Sequence, residues 1–145
     1  MEEADSFFEE LDRVAKATSR EKVIILGDLN SRVGKDNRGV EEVMGGFGED
    51  CVPNSNGRRL IDFCMGNDLI ITNTIFRHKG IHKFTWCEEA WDRKSLIDHV
   101  IVERSLRNNV KDTRVFNGFE ISSDYYLVAS TLKLNFQPTK KPLCL

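Results

Sequence analysis

One stretch limits what this chain can fold into more than any other: Lys22-Val23-Ile24-Ile25-Leu26-Gly27-Asp28-Leu29-Asn30. Val23 to Leu26 are apolar, mostly β-branched, and do not alternate with polar residues, the pattern of a strand covered on both faces. Gly27 breaks the run, and Asp28 and Asn30 follow at once. Side chains at the carboxyl end of a covered strand are held firmly and still reach solvent, so such positions suit chemistry. On an extended chain Asp28 and Asn30 point to the same side, a carboxylate and an amide converging. The plain alternative is an ordinary strand that ends in an Asx turn, and these nine residues leave both open.

The rest of the chain supplies elements to surround that strand. Ser6–Ala17 reads as an amphipathic helix with Phe7, Phe8, Leu11, Val14 and Ala15 inward and Ser6 with Glu9 as a capping box. Helix, short polar turn and apolar strand make an α/β unit. After Asn30 come Gly34, Gly39, Gly45, Gly46 and Gly48, too irregular for a phosphate loop and read as a long surface loop carrying Arg32, Lys35 and Arg38. Asn56–Met65 reads as a second helix, with Leu60, Ile61, Cys64 and Met65 inward and Gly66-Asn67 as its stop. Strands are expected at 69–73, 83–87, 96–103, 110–116 and 126–135. The apolar strand at 96–103 carries Asp98, a carboxyl that needs a partner or a function. After Phe136 the run Gln-Pro-Thr-Lys-Lys-Pro-Leu-Cys-Leu has no periodicity, so residues 1–136 are read as the domain and 137–145 as a tail.

Composition excludes several classes. A 145-residue chain with 40% hydrophobic and 30% charged residues suits one globular domain. No apolar run reaches the length of a membrane span, and the acidic start Met-Glu-Glu-Ala-Asp is no secretory signal. A formal charge of −2 gives no general grip on nucleic acid, so contact with DNA would be local. The four cysteines, Cys51, Cys64, Cys87 and Cys144, form no CxxC and are expected as reduced thiols in a nuclear or cytoplasmic protein. His78, His82 and Cys87 are side chains of zinc-ligand type, but their flanks repeat no metal spacing and a turn with a strand accounts for them. The cationic run Arg77–Lys83, leading to Trp86, admits two readings. One is a backbone and stacking surface for nucleic acid, formed by Arg77, Lys79, Lys83 and Trp86; the other is an exposed turn beside a core tryptophan.

In order along the chain stand Gly27-Asp28-Leu29-Asn30, Phe84-Thr85-Trp86, Leu96-Ile97-Asp98-His99-Val100-Ile101-Val102 and Ser123-Asp124-Tyr125-Tyr126-Leu127-Val128. This ordered set, over about Phe7 to Leu134, resembles the endonuclease/exonuclease/phosphatase superfamily. Within it the chain is most similar to endonucleases of non-long-terminal-repeat retrotransposons. It matches the carboxy-terminal half of the family domain. The resemblance implies an α/β fold, about half of a four-layer α/β/β/α sandwich: one mixed sheet with helices on its outer face. The opposite, apolar face is then expected to be open to self-association or a protein partner.

The same resemblance implies magnesium-assisted phosphodiester hydrolysis, with water attacking phosphorus in line. Matched motif by motif, Asp28 resembles the family's water-orienting aspartate and Asn30 the amide that steadies the nucleophile or a phosphate oxygen. Asp98 resembles the carboxylate that pairs with a catalytic histidine, and Asp124 the aspartate of a Ser-Asp-His motif near the metal. Where the family has that histidine, this chain has Tyr125, and a phenol with an ordinary pKa near ~10 is a poor base at neutral pH. His99 follows Asp98 directly and points to the opposite face of the strand, so it does not take over. The family's main metal-binding glutamate belongs to the half that this sequence does not match. The expectation is therefore a catalytically impaired relative of a magnesium-dependent DNA endonuclease, or else a domesticated module that binds protein or nucleic acid without chemistry.

Overall fold

The computed structural model describes residues 2–116 and 123–135. Two helices lie on one side of a small sheet, and a hairpin lies on the other. Helix α1 (Glu2–Ala17) opens with Glu2, Glu3 and Asp5 and closes with Lys16, charges that suit the helix dipole at each end. Phe8, Leu11 and Ala15 enter the core, whereas Phe7 and Val14 stand about half exposed. The helix begins before the expected capping box, leaving Ser6 inside its second turn.

Helix α2 (Ser55–Asn67) is capped by Asn54, whose Oδ1 accepts from the Gly57 amide at 2.7 Å. It stops at Asp68, in the left-handed conformation with φ 59°, whose amide donates to the Cys64 carbonyl. The stop is thus one residue beyond the expected Gly66-Asn67. Phe63 is buried where Met65, expected inward, is exposed.

The central sheet has the order β1-β5-β2, with β1 (Ile24–Asp28), β2 (Leu69–Ile71) and β5 (Asp98–Glu103) antiparallel. A parallel bridge from Met44 to Ile71 makes it mixed. Two further pairs are β3 (Trp86–Glu88) with β4 (Arg93–Ser95) and β6 (Val110–Phe116) with β7 (Leu127–Leu132). β2 is shorter than expected because the chain coils into a 3-10 turn at Thr72–Thr74.

On the outer face, Leu69, Ile71 and Ile101 pack with Phe8, Leu60, Phe63 and Cys64, and Val23, just before β1, and Ile25 within it join them. On the inner face, Ile70, Val100 and Val102 pack with Leu106 and Val110 and meet Val128 and Leu132 of the hairpin. The cover does not extend over β1. Ile24 is 43% exposed and Leu26 69%, although their cross-strand partners Val102 and Val100 are buried. The expected strand with two covered faces is therefore an edge strand covered on one. Among the described residues the open inner strip expected from the resemblance is reduced to Ile24 and Leu26 with the neighbouring Tyr125 and Leu127, because β6–β7 covers much of the remainder.

The glycine-rich segment after Asn30 is not a solvent loop. Val33, Val43, Met44, Gly48 and Glu49 are buried in it, and the Ile71 amide donates to the Val43 carbonyl at 2.8 Å. A Cβ on Gly57 would lie 1.8 Å from the Arg32 carbonyl oxygen, and one on Gly48 would lie 2.0 Å from that of Gly34. These close approaches let α2 and the segment pack directly on the chain leaving β1. The proposed tail, residues 137–145, lies outside the described residues.

Candidate functional site

β1 and β5 run antiparallel, and their register sets Asp28 directly opposite Asp98. Two devices fix that end of β5. Asn73, buried in the turn after β2, donates through Nδ2 to the Asp98 carbonyl at 3.1 Å and accepts at Oδ1 from the Val100 amide at 2.8 Å. Thr85, fully buried, accepts at Oγ1 from the Ile97 and Asp98 amides at 3.0 and 3.1 Å. Neither residue carried a role in the sequence reading. Thr85 lies inside the Phe84-Thr85-Trp86 motif, and that was the available signal. Asn73 had none, since its work depends on a turn that interrupts the expected strand.

Asp98 is half-buried, and its Oδ2 is fully enclosed with no hydrogen-bond partner. Burial raises its pKa above the ordinary aspartate value, the contact with the Thr85 hydroxyl works against that rise, and the charge of Asp28 adds to it. The phenol of Tyr125 stands beside Asp28. That contact and the Asp28 charge, then burial and the charges of Asp98 and Asp124, raise its pKa above the ordinary tyrosine value. Tyr125 is held there by an antiparallel bridge from its backbone to Trp86 and by the hydrogen bond between the Cys87 amide and the Asp124 carbonyl at 2.9 Å. Asp28, Asp98, Tyr125, Tyr126 and Leu127 line a cleft of about 360 Å³ with Leu26.

Asn30 does not join them as expected. The chain leaves its extended path at Asn30, where φ is 46°, and the Asn30 amide donates to Asp28 Oδ1 at 2.8 Å. This is the Asx turn that the sequence left open, and it spends one Asp28 oxygen on local backbone. Asn30 is not among the residues lining the cleft. Asp124 is exposed at the cleft's edge. His99 stands on the other face of β5, fully buried, with Nε2–H donating to the Ser31 carbonyl at 2.7 Å and Nδ1 without a partner. Burial lowers its pKa below the ordinary histidine value, against a smaller opposing effect from that carbonyl.

The surface expected to meet nucleic acid is partly committed elsewhere. Lys83 is half-buried, and its Nζ donates to the Gly48 carbonyl at 3.3 Å, while His78 pairs with Asp112 at 2.6 Å. Arg77 and Lys79 remain exposed, and Trp86 is half-buried. The loop cations are also paired: Arg32 with the buried Glu49, Lys35 with Asp50 and Arg38 with Asp36. The described cysteines, Cys51, Cys64 and Cys87, are free thiols, and Cys144 lies outside the described residues.

Magnesium binds several oxygen ligands in a near-octahedral arrangement, commonly one or two carboxylates with substrate phosphates and water. Among the described residues no three His, Cys, Asp or Glu side chains gather as a metal-holding group. Burial favours the neutral form of Asp98, which weakens it as a cation ligand. Asp28 and Asp98 are the facing carboxylates here, and among the described residues no third ligand joins them. Among the described residues no helix is long and apolar enough to cross a membrane.

No family model matches the chain. Its sequence is 31% identical over 132 residues to craniofacial development protein 2 of Bos taurus, and equally to that of Tragulus javanicus, covering 90% of this chain and 22% of those proteins. The chain therefore spans about a fifth of the length of these relatives. In structure it is similar to the endonuclease domain of TRAS1, a telomere-specific non-LTR retrotransposon, with a TM-score of 0.62 at 18% identity, over 91% of this chain and 52% of that one. It is similar also to the Neisseria meningitidis 3′-5′ exonuclease NExo, with a TM-score of 0.62 at 21% identity, over 90% and 53%. A structure of the Neisseria 3′ phosphatase NExo bound to a product DNA hairpin matches at a TM-score of 0.61 and 20% identity, over 90% and 53%. The chain shares its fold with these solved nuclease structures, spanning about half of each, and is similar in sequence to craniofacial development protein 2.

Proposed function

We propose that this chain is a catalytically impaired relative of a magnesium-dependent DNA endonuclease, retained as a binding module. The observation that carries the reading is that Tyr125 lines one cleft with Asp28 and Asp98, whose Oδ2 has no partner among the described residues. In the residue-by-residue match, an imidazole would stand at position 125 and Asp98 would be its partner. A phenol whose pKa is pushed above the ordinary value neither takes a proton from water at neutral pH nor presents a positive charge to a phosphorane. Loss of such a group costs ~10²–10⁴-fold in rate. The cleft's own residues can orient one water, through Asp28, and offer a protonated phenol as a hydrogen-bond donor. They supply no cation to balance a pentacoordinate phosphate.

Hydrolysis of thymidine 5′-(p-nitrophenyl phosphate) in magnesium tests this without presuming a substrate. The expected release of nitrophenolate equals that of Asp28→Ala. Turnover that a chelator and Asp28→Ala both abolish would overturn the reading.

The exposed strip of Ile24, Leu26 and Leu127 favours protein binding over nucleic acid as the retained activity, since Lys83 is tied to Gly48 and Asp112 shields His78. Arg77 and Lys79 are the residues through which a weak DNA contact would act. Salt-dependent DNA binding that disappears in Lys79→Glu would reverse this preference.

A further inference from the structure

The sheet β1-β5-β2 ends differently on its two sides. Beyond β2 the chain covers the edge itself: the Ile71 amide donates to the Val43 carbonyl at 2.8 Å, and Met44 bridges Ile71. Beyond β1 no strand follows among the described residues. The Glu103 amide donates to the Val23 carbonyl and the Leu29 amide to the Ile97 carbonyl, so the odd-numbered residues from Val23 to Leu29 turn their backbone groups toward β5. The amides and carbonyls of Ile24, Leu26 and Asp28 therefore point outward along a bare edge. Gly27 is exposed, and a Cβ built on it would meet nothing within 4 Å. Sheets usually blunt such an edge with lysine, proline or a bulge. Ile24–Gly27 has none of these, and Ile24 and Leu26 add exposed apolar side chains to it.

We propose that β1 pairs antiparallel with β1 of a second copy of this chain, across a two-fold axis at Ile25, joining two three-stranded sheets into one. Charge selects the axis. With Ile25 on it, Ile24 faces Leu26 of the second copy and Lys22 faces its Asp28. Every outward-pointing residue then meets another, and each such pair exchanges two main-chain hydrogen bonds. Sliding one strand by two residues either way sets a charge against an apolar side chain, Asp28 against Ile24 or Lys22 against Leu26. Lys22 is exposed, with Ser105 Oγ at 2.7 Å and Glu103 at 3.5 Å, and Asp28 has one oxygen beyond the one that accepts from the Asn30 amide. The ion pair thus fixes register, and the main chain supplies the affinity. On the inner face Ile24 and Leu26 of both copies come together, each covering the other's apolar surface. The inference rests on the reading of the chain as a binding module and deepens it by naming the partner.

Sedimentation equilibrium of the full chain, with hydrogen exchange of its backbone amides, tests the pairing. A reversible monomer–dimer equilibrium is expected, and the amides of Ile24 and Leu26 should exchange more slowly as concentration rises. Those of Ile25 and Gly27, which face β5, should respond far less. Leu26→Pro removes an outward donor that β5 does not use, a change an edge strand accepts, and should weaken the dimer about tenfold or more. Lys22→Glu sets like charges together and should weaken it about threefold or more. Lying outside the strand, it keeps the test decisive if Leu26→Pro unsettles the fold. A monomer at every concentration up to about 1 mM, or a dimer that neither substitution weakens, would overturn the proposal and leave the non-catalytic reading intact. Slow exchange at Ile24 and Leu26 that ignores concentration would mean that this chain covers its own edge, and growth beyond the dimer would contradict the two-fold axis; either overturns the proposal. The nitrophenyl phosphate assay separates the two failures, since turnover abolished by Asp28→Ala overturns the reading on which the inference rests, with or without a dimer.

Discussion

Asp98 and His99 are adjacent in sequence and stand on opposite faces of β5, and their surroundings differ as the two faces of the molecule differ. On the outer face His99 is sealed under the segment after β1, hydrogen-bonded to Ser31 and surrounded by a continuous core. On the inner face Asp98 opens onto a cleft whose apolar wall is partly bare at Ile24 and Leu26. The outer face is finished within this chain, and the inner face is finished over β5 and β2 but not over β1. The outer face therefore carries a core across all three strands, whereas the inner face leaves apolar surface bare along β1.

The contrast is sharpest for apolar truncation. Ile101→Ala, on the outer face and fully buried, should cost about 3 kcal/mol, whereas Leu26→Ala on the inner face should change stability by no more than about 0.5 kcal/mol. Urea denaturation of both variants measures this, and equal losses would mean that the inner strip is covered in solution. A smaller loss, about 2 kcal/mol, is expected for Arg32→Ala. That change leaves the buried Glu49 with the Leu96 amide, at 3.2 Å, but without its ion pair.

The two neighbours on β5 should also respond to pH with opposite signs. The folded pKa of His99 lies below its ordinary value of 6.5, so the folded state binds fewer protons there than the unfolded chain. The stability this contributes is complete above pH 6.5 and is lost as pH falls through that value toward the folded pKa. The folded pKa of Asp98 lies above its ordinary 3.8, so its contribution is complete below pH 3.8 and is lost as pH rises through the folded value. Asp98→Asn should therefore be more stable than the parent at pH 7, with the difference closing in acid, and His99→Gln should flatten the loss between pH 7 and 5. Unfolding midpoints across that range check both signs. The smallest effect is expected for Phe7→Ser on the exposed side of α1, within about 0.5 kcal/mol.

Periodicity located the elements well. The bounds of β6 are those expected from the sequence, and both helices lie where their apolar spacing placed them. Coverage was harder to read, because an unbroken apolar run such as Val23–Leu26 looks the same in a buried strand and in an edge strand whose cover stops short. The juxtaposition in the candidate site was legible where motif and register coincide, at Asp28, Asp98 and Tyr125. It was not legible at Asn30, where one left-handed residue converts an extended amide into an Asx turn. Asn73 and Thr85 escaped notice because each acts on backbone far along the chain, 25 and 13 residues from Asp98.

We propose that this chain keeps a nuclease-like fold without nuclease chemistry. Nicking of supercoiled plasmid and of an abasic-site duplex in magnesium tests it most directly, with Asp28→Ala and a chelator alongside. No nicking above the Asp28→Ala background is expected on either substrate. Magnesium-dependent nicking that both the substitution and the chelator abolish would contradict it and would make Tyr125 compatible with a working site.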